Sequence, residues 1–404
     1  MRDGRAGELT EIQSGAVARP PGGGHQRFGQ LDALRAFAVL GVVATHTFDP
    51  VDQSWAEYGA YGVQLFFVIS GFLITGILID ARREADALAV PRGGVFRSFY
   101  ARRALRIFPL YYLTIAVGTL IGVPGMRAHF GWNLVYLANW RIAFDGHWGA
   151  VTHVWSLAVE EQFYVFWPLV VLLAPRRLLP WAIGSMIAVA LATRTYLTLT
   201  TDMWADGISI VTPALFDALG LGALLAFLSR TAANVDRIVG WLGVSAIGIA
   251  TADFAVDRIV DDSTALTATS STIADIWWPL LFVWLVHRTA RGVRGPIGQV
   301  LRWRWLAYIG VVSYGIYLFH LFVVPVTEIV EARLRVDLPM PDRGLAQFLV
   351  VGAISIAAAA LSWTVFEQPI NDQKRRFPYV PRPTGPQVSA APRPLDARAD
   401  SATP

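Results

Sequence analysis

The sequence predicts an all-α fold, a polytopic integral membrane helix bundle of about ten transmembrane helices with both termini in the cytoplasm. Mean hydropathy is +0.45. Only 16% of the 404 residues are charged, and apolar runs long enough to cross a bilayer recur through the whole length. Residues 1–28 are rich in Gly, Pro and Arg, lack an apolar core and contain no signal peptide, so they are expected to form a disordered cytoplasmic tail. Residues 29–372 form the membrane domain. Residues 373–404, rich in Pro and Ala, are expected to be a second disordered tail, and no further globular domain is expected.

The spans are expected near 31–49, 59–80, 107–123, 154–174, 178–199, 210–228, 238–256, 272–288, 305–326 and 346–366. Each is apolar enough to lie in lipid, and each is bounded by charge or by Gly and Pro. Charge then orients them. With the N-terminus inside, the inner loops hold Arg82, Arg83, Arg92, Arg97, Arg102, Arg103 and Arg106, then Arg176 and Arg177, Arg230 and Arg237, and Arg288 to Arg304. The outer loops hold Asp49, Asp52, Glu57, Asp202, Asp206, Asp257, Asp261, Asp262, Glu328, Glu331 and Asp337. Arg127, Arg141 and Arg333 fall outside, yet the bias alternates at every crossing. This pattern places a multi-pass chain in the cell (plasma) membrane.

Cysteine is absent, which excludes disulfides, a thiolate nucleophile and cysteine metal sites. No His and carboxylate spacing suggests a metal site. The net charge of +4 comes almost wholly from arginine, with Lys374 the only lysine. Basic loops beside an anionic leaflet account for it, and no nucleic-acid motif gives it another meaning.

Ionisable residues inside spans are costly and usually face a polar cavity. Arg35 and His46 lie eleven residues apart in the first span. Eleven helical steps bring them back to one face, ~16 Å apart along the axis. On the topology above, His46, His153, Ser156, Glu160, Glu161 and His320 all fall in the outer part of the membrane, with Arg194, Asp217 and Asp275 in or near it. Three histidines and two carboxylates at one level suggest a hydrated reaction chamber. Arg103 and Arg106, three apart, share a face near the inner side and suit bidentate phosphate binding, although arginines ahead of a span also serve as topology anchors. Ser70 beside Gly71 reads first as a close helix contact and second as a nucleophile.

Together these motifs resemble the acyltransferase-3 family of integral membrane O-acyltransferases. They are Arg35 and His46 in the frame Leu31-Asp32-Ala33-Leu34-Arg35, Phe66-Phe67-Val68-Ile69-Ser70-Gly71-Phe72, Arg103-Ala104-Leu105-Arg106, His153-Val154-Trp155-Ser156-Leu157-Ala158-Val159-Glu160-Glu161-Gln162-Phe163-Tyr164, Ser313-Tyr314-Gly315-Ile316-Tyr317-Leu318-Phe319-His320 and Glu367-Gln368-Pro369. The resemblance implies transfer of an acyl group, by family default acetyl from acetyl-CoA, to a hydroxyl of a glycan, lipid-linked sugar or natural product. Many relatives carry a fused SGNH-type hydrolase domain, which is not expected in this chain. Glu160 rather than Glu161 aligns with the family pattern.

The expected mechanism has Arg35, Arg103 and Arg106 hold the acyl-CoA phosphates at the cytoplasmic face. The pantetheine arm, ~15–20 Å when extended, then reaches His46. That histidine acts as general base or forms an acyl-imidazole, and the residues do not choose between the two. Glu160 orients His46 in this scheme. His320 is a second acid/base group or a hydrogen-bonded partner. Glu367 serves structure or function. Two rival readings remain, a secondary transporter using buried His and Glu for proton coupling and a non-catalytic membrane subunit. The first leaves Arg103 and Arg106 unexplained, and no internal repeat supports it.

Overall fold

The computed structural model describes residues 24–48, 53–149, 151–259, 275–336, 338 and 340–380. The long helices are α1 (Gly24–Thr47), α2 (Gln53–Ala87) and α3 (Gly93–Ile121). Two short ones follow, α4 (Phe130–Leu134) and α5 (Ala138–Asp145). Then come α6 (Val154–Leu173), α7 (Leu179–Thr200), α8 (Ala205–Ile210), α9 (Phe216–Thr231) and α10 (Val235–Ile259). The last third holds α11 (Trp277–Arg291), α12 (Gly295–Val300), α13 (Arg304–Val311), α14 (Ser313–Phe319), α15 (Val323–Leu334), α16 (Leu345–Ser362) and α17 (Gln368–Asp372). The fold is an all-α membrane bundle, with no strand among the described residues.

Eight helical stretches among the described residues are long and apolar enough to cross a membrane. The two expected spans outside that set are the first and the eighth. Helix α1 is ~36 Å long by its rise, but Asp32, Arg35 and His46 dilute its hydropathy. Helix α11 has 15 residues, short of the ~20 that a span needs. The ninth span is displaced, running over Ser313–Leu334 where 305–326 is expected. Helix α3 starts at Gly93, so Arg97, Arg102, Arg103 and Arg106 are helical residues and not loop residues. The tail residues 1–23 and 381–404, Asp49, Asp52 and most of the expected outer loop 257–271 lie outside the described residues.

Helix α1 is enclosed by α2, α11, α13, α14 and α16. That is why an arginine and a histidine are tolerated on it, since both face protein. Helix α2 crosses α9 at paired glycines. A Cβ on Gly71 would collide with the Leu219 carbonyl, and one on Gly222 with the Val68 carbonyl. With little hydrophobic drive between helices in lipid, such backbone contact is what holds them.

The segment after α3, expected to be a loop outside the membrane, folds back into the bundle. Tyr111 and Tyr112, in mid-α3, donate to the Asn133 and Leu134 carbonyls at 2.7 and 3.2 Å. Gln162, more than two turns into α6, donates to the Tyr136 carbonyl at 2.8 Å. Non-helical backbone at membrane depth must be capped by protein, and these side chains do so. Part of the expected C-terminal tail is also ordered. Arg102 donates to the Lys374 and Phe377 carbonyls, Ser98 donates to that of Pro378, and Val380 is buried.

Gly222→Val is expected to destabilise the bundle by about 3 kcal/mol, because overpacking here displaces backbone and not a rotamer. The thermal unfolding midpoint of the detergent-solubilised protein should drop, while Gly240→Val, which meets open space, leaves it near wild type.

Candidate active site

The polar residues of the interior form two groups, spaced along the helix axes. The inner group surrounds an open cavity of about 100 Å³. Arg35, Arg103 and Arg106 line it together with Ser70, Ser156, Glu160, Glu161, Tyr164 and Tyr317. The sequence separates these arginines by nearly seventy positions, and α1 and α3 bring them to one wall. Arg35 is 3.3 Å from Asp32 on its own helix. The Arg103 guanidinium lies over the Tyr164 ring, 5.4 Å from its centroid. Ser70 donates to Glu160 Oε1 at 2.6 Å and lies 2.8 Å from the Tyr164 hydroxyl.

The outer group is a cluster of three imidazoles. Ring centroids are 5.1 Å apart for His46 and His320, and 4.9 Å apart for His153 and His320. Backbone carbonyls, which only accept, fix a ring proton on each. His46 Nδ1 donates to the Val42 carbonyl at 2.8 Å, and His320 Nδ1 donates to that of Tyr317 at 2.6 Å. His153 Nε2 donates to the Leu318 carbonyl at 3.0 Å. His320 Nε2, left with its lone pair, lies 3.4 Å from His46 Nδ1. The lone pair of His46 is therefore on Nε2, and His46 is the most exposed of the three. A break in the helix makes this possible: residues His320–Phe322 form a single tight turn between α14 and α15.

Ser156 and Tyr317 join the two groups. Their hydroxyls are 2.6 Å apart at the cavity wall, and Tyr317 donates to the His153 carbonyl at 2.8 Å.

The expected partnership of Glu160 with His46 is not present. Glu160 lies seven residues after His153, ~10 Å deeper along α6, and its partner is Ser70. The carboxylates thus belong with the arginines, below the histidine level. His46 and His320 do meet, as their common depth predicts. The close contact with α9 falls to Gly71, while Ser70 faces the cavity. His153 and Tyr317 gain a place that sequence gave little reason to favour, although His153 shares the depth of the other two imidazoles. Arg194 and Asp217 form a buried ion pair at 2.7 Å away from the cavity lining. Glu367 accepts from Ser362 at 2.8 Å within a widened helical turn, a structural role. Among the described residues, no group of three His, Asp or Glu is arranged to hold a metal ion.

The fold and site define a membrane-embedded helix bundle with a polar chamber built from arginines, carboxylates and histidines. Residues 28–367 match the acyltransferase domain of the acyltransferase-3 family, and the chain belongs to that family. It is 27% identical over 371 residues to the peptidoglycan O-acetyltransferase OatA of Listeria monocytogenes, covering 84% of this chain and 55% of that protein. A putative peptidoglycan O-acetyltransferase of Bacillus subtilis, YrhL, is 37% identical over 161 residues, 36% of this chain and 24% of that one. A putative O-acetyltransferase of Staphylococcus aureus is 35% identical over 154 residues, 35% and 24% of the two chains. The chain therefore spans about half the length of OatA and about a quarter of each of the other two in the matched regions. No solved structure matches.

Removing the Ser156 and Tyr317 hydroxyls singly and together tests the bridge. Ser156→Ala and Tyr317→Phe are expected to show a coupling of about 1 kcal/mol in a double-mutant cycle of unfolding free energy, whereas additivity would mean that the 2.6 Å contact contributes nothing.

Proposed function

We propose that this chain is an O-acetyltransferase that moves an acetyl group from cytoplasmic acetyl-CoA to a hydroxyl of a cell-envelope glycan. The observation that carries the reading is the cavity running from Arg35, Arg103 and Arg106 to the Ser156–Tyr317 pair, which touches the histidine cluster. Both termini and the arginine end lie in the cytoplasm, the histidine end faces outward, and the membrane is the plasma membrane. The names of the relatives support peptidoglycan as the acceptor class.

The donor phosphates bind the three guanidiniums, and the thioester extends toward His46. An acceptor hydroxyl approaches from outside. His46 Nε2 takes its proton as the oxygen attacks the thioester carbonyl. The tetrahedral intermediate collapses with loss of the CoA thiolate, which recovers the proton. During this step the imidazolium charge is opposed by the Val42 carbonyl and shared with His320 through the 3.4 Å contact. His320 is thus the supporting imidazole. Glu160 acts on the donor side of the chamber, not on His46.

Membranes containing the full chain are supplied with acetyl-CoA labelled in the acetyl group, and the label is followed into glycan, lipid and small-molecule fractions. Wild type is expected to label a hydroxyl acceptor. His46→Ala is expected to lose at least about 100-fold in turnover, and Arg106→Ala to raise the KM for acetyl-CoA about tenfold. Label that crosses the membrane while still on the thioester would support transport and defeat this reading, as would normal turnover by folded His46→Ala.

A further inference from the structure

Glu161 is a buried carboxylate that this mechanism leaves unused. It is 7% exposed and lines the cavity beside Arg103, Ser70 and Tyr164. Its Oε1 has no hydrogen-bond partner among the described residues. Glu160, the preceding residue, has one oxygen engaged by Ser70. No ion pair among the described residues involves Arg103 or Arg106, so the cavity's own cations do not satisfy the pair. What is missing at Glu161 is a hydrogen-bond donor supplied from within the cavity.

We propose that Glu161 and Glu160 accept hydrogen bonds from the two amide N–H groups of the donor's pantetheine arm as it passes from the arginines toward the histidines. The inference rests on acyl-CoA being the donor, as argued above. Three features support it. The carboxylates lie between the groups assigned to the phosphates and those assigned to the thioester, where the middle of the arm must run. A thioester, a phosphate or an ether offers no donor to a carboxylate, whereas a secondary amide does. The arm also offers two such donors: its amide nitrogens, separated by two methylenes and a carbonyl, are ~5 Å apart when extended, and both carboxylates line the one cavity. Buried acceptors that need a particular donor also discriminate against thioesters that lack it.

The test deletes the hydrogen bond from both sides. The full chain in membranes is assayed with acetyl-pantetheine and with its analogues N-methylated at either amide. For wild type, kcat/KM is expected to fall about ten- to a hundredfold for the analogue whose N–H meets Glu161, the range for leaving a buried acceptor unsatisfied. In Glu161→Leu, acetyl-pantetheine itself should fall by a similar factor, and the further penalty for that methylation should shrink below about twofold. Glu161→Gln keeps an acceptor oxygen and should retain most of the wild-type preference. Glu161→Ala, which also lacks the acceptor, provides the comparison if Glu161→Leu does not fold. A methylation penalty that is absent in wild type, or equal in wild type and in Glu161→Leu or Glu161→Ala, overturns the proposal and assigns the unpartnered oxygen to solvent. Failure of wild type to use either acetyl-CoA or acetyl-pantetheine would instead overturn the donor reading itself, and this inference with it.

Discussion

A polar group inside a bilayer has only the protein to bond with, and the bundle is arranged around that demand. The requirement acts first on the backbone. The segment holding α4 and α5 enters the bundle only because Tyr111, Tyr112 and Gln162 cap its carbonyls. It acts next on side chains. Each imidazole of the outer cluster is tied to a main-chain carbonyl, two of them made available where α14 gives way to the His320–Phe322 turn. The helix break is therefore part of the site. The turn holds the Tyr317 and Leu318 carbonyls where the ring protons of His320 and His153 meet them.

The same demand explains which polar residues are structural and which are open to a ligand. Arg194, Asp217, Gln162 and Glu367 are each met by partners within the chain. Gln162, for instance, receives and donates toward Tyr136, Asn139, Trp140 and Thr212 at once. Arg103, Arg106 and Glu161 are the contrast, since they face a shared cavity without comparable closure. In lipid an incomplete set of bonds is expensive, so two guanidiniums and a carboxylate left open on one cavity mark a place where substrate can complete them.

Much of this was legible in the sequence, for a physical reason. Helical rise is fixed, so depth along one helix follows from residue number, and His46, His153 and His320 fall at a common level by residue number alone. Arg35, Arg103 and Arg106 followed from the same ruler. Partners across helices were not legible, because the register between α2 and α6 depends on packing that no single segment encodes. Glu160 therefore seemed close to His46 when it is about two turns deeper and bonded to Ser70. The inward fold of residues 130–145 was hidden for a related reason. Its Arg141 and Asp145 resemble those of a solvated loop, and the caps that hold it come from Tyr111, Tyr112 and Gln162, residues otherwise readable as interface aromatics or ordinary helix surface.

The division of the interior into two levels bears directly on the proposed chemistry. A guanidinium cluster beside a general-base imidazole would favour the neutral ring, but anionic phosphates drawn to the same spot would work against release of a thiolate. Separating the two by ~16 Å along α1 removes that conflict. It also makes the length of the donor the means of crossing: the charged end stays where water and arginines stabilise it, while the thin arm places the thioester at the outer level. The helices then need no large movement to carry an acyl group through the membrane. What they must supply is a lining that receives the arm without trapping it. A wall of hydroxyls and carboxylates, Ser70, Glu160, Glu161, Tyr164, Ser156 and Tyr317, offers that in a run of individually modest hydrogen bonds.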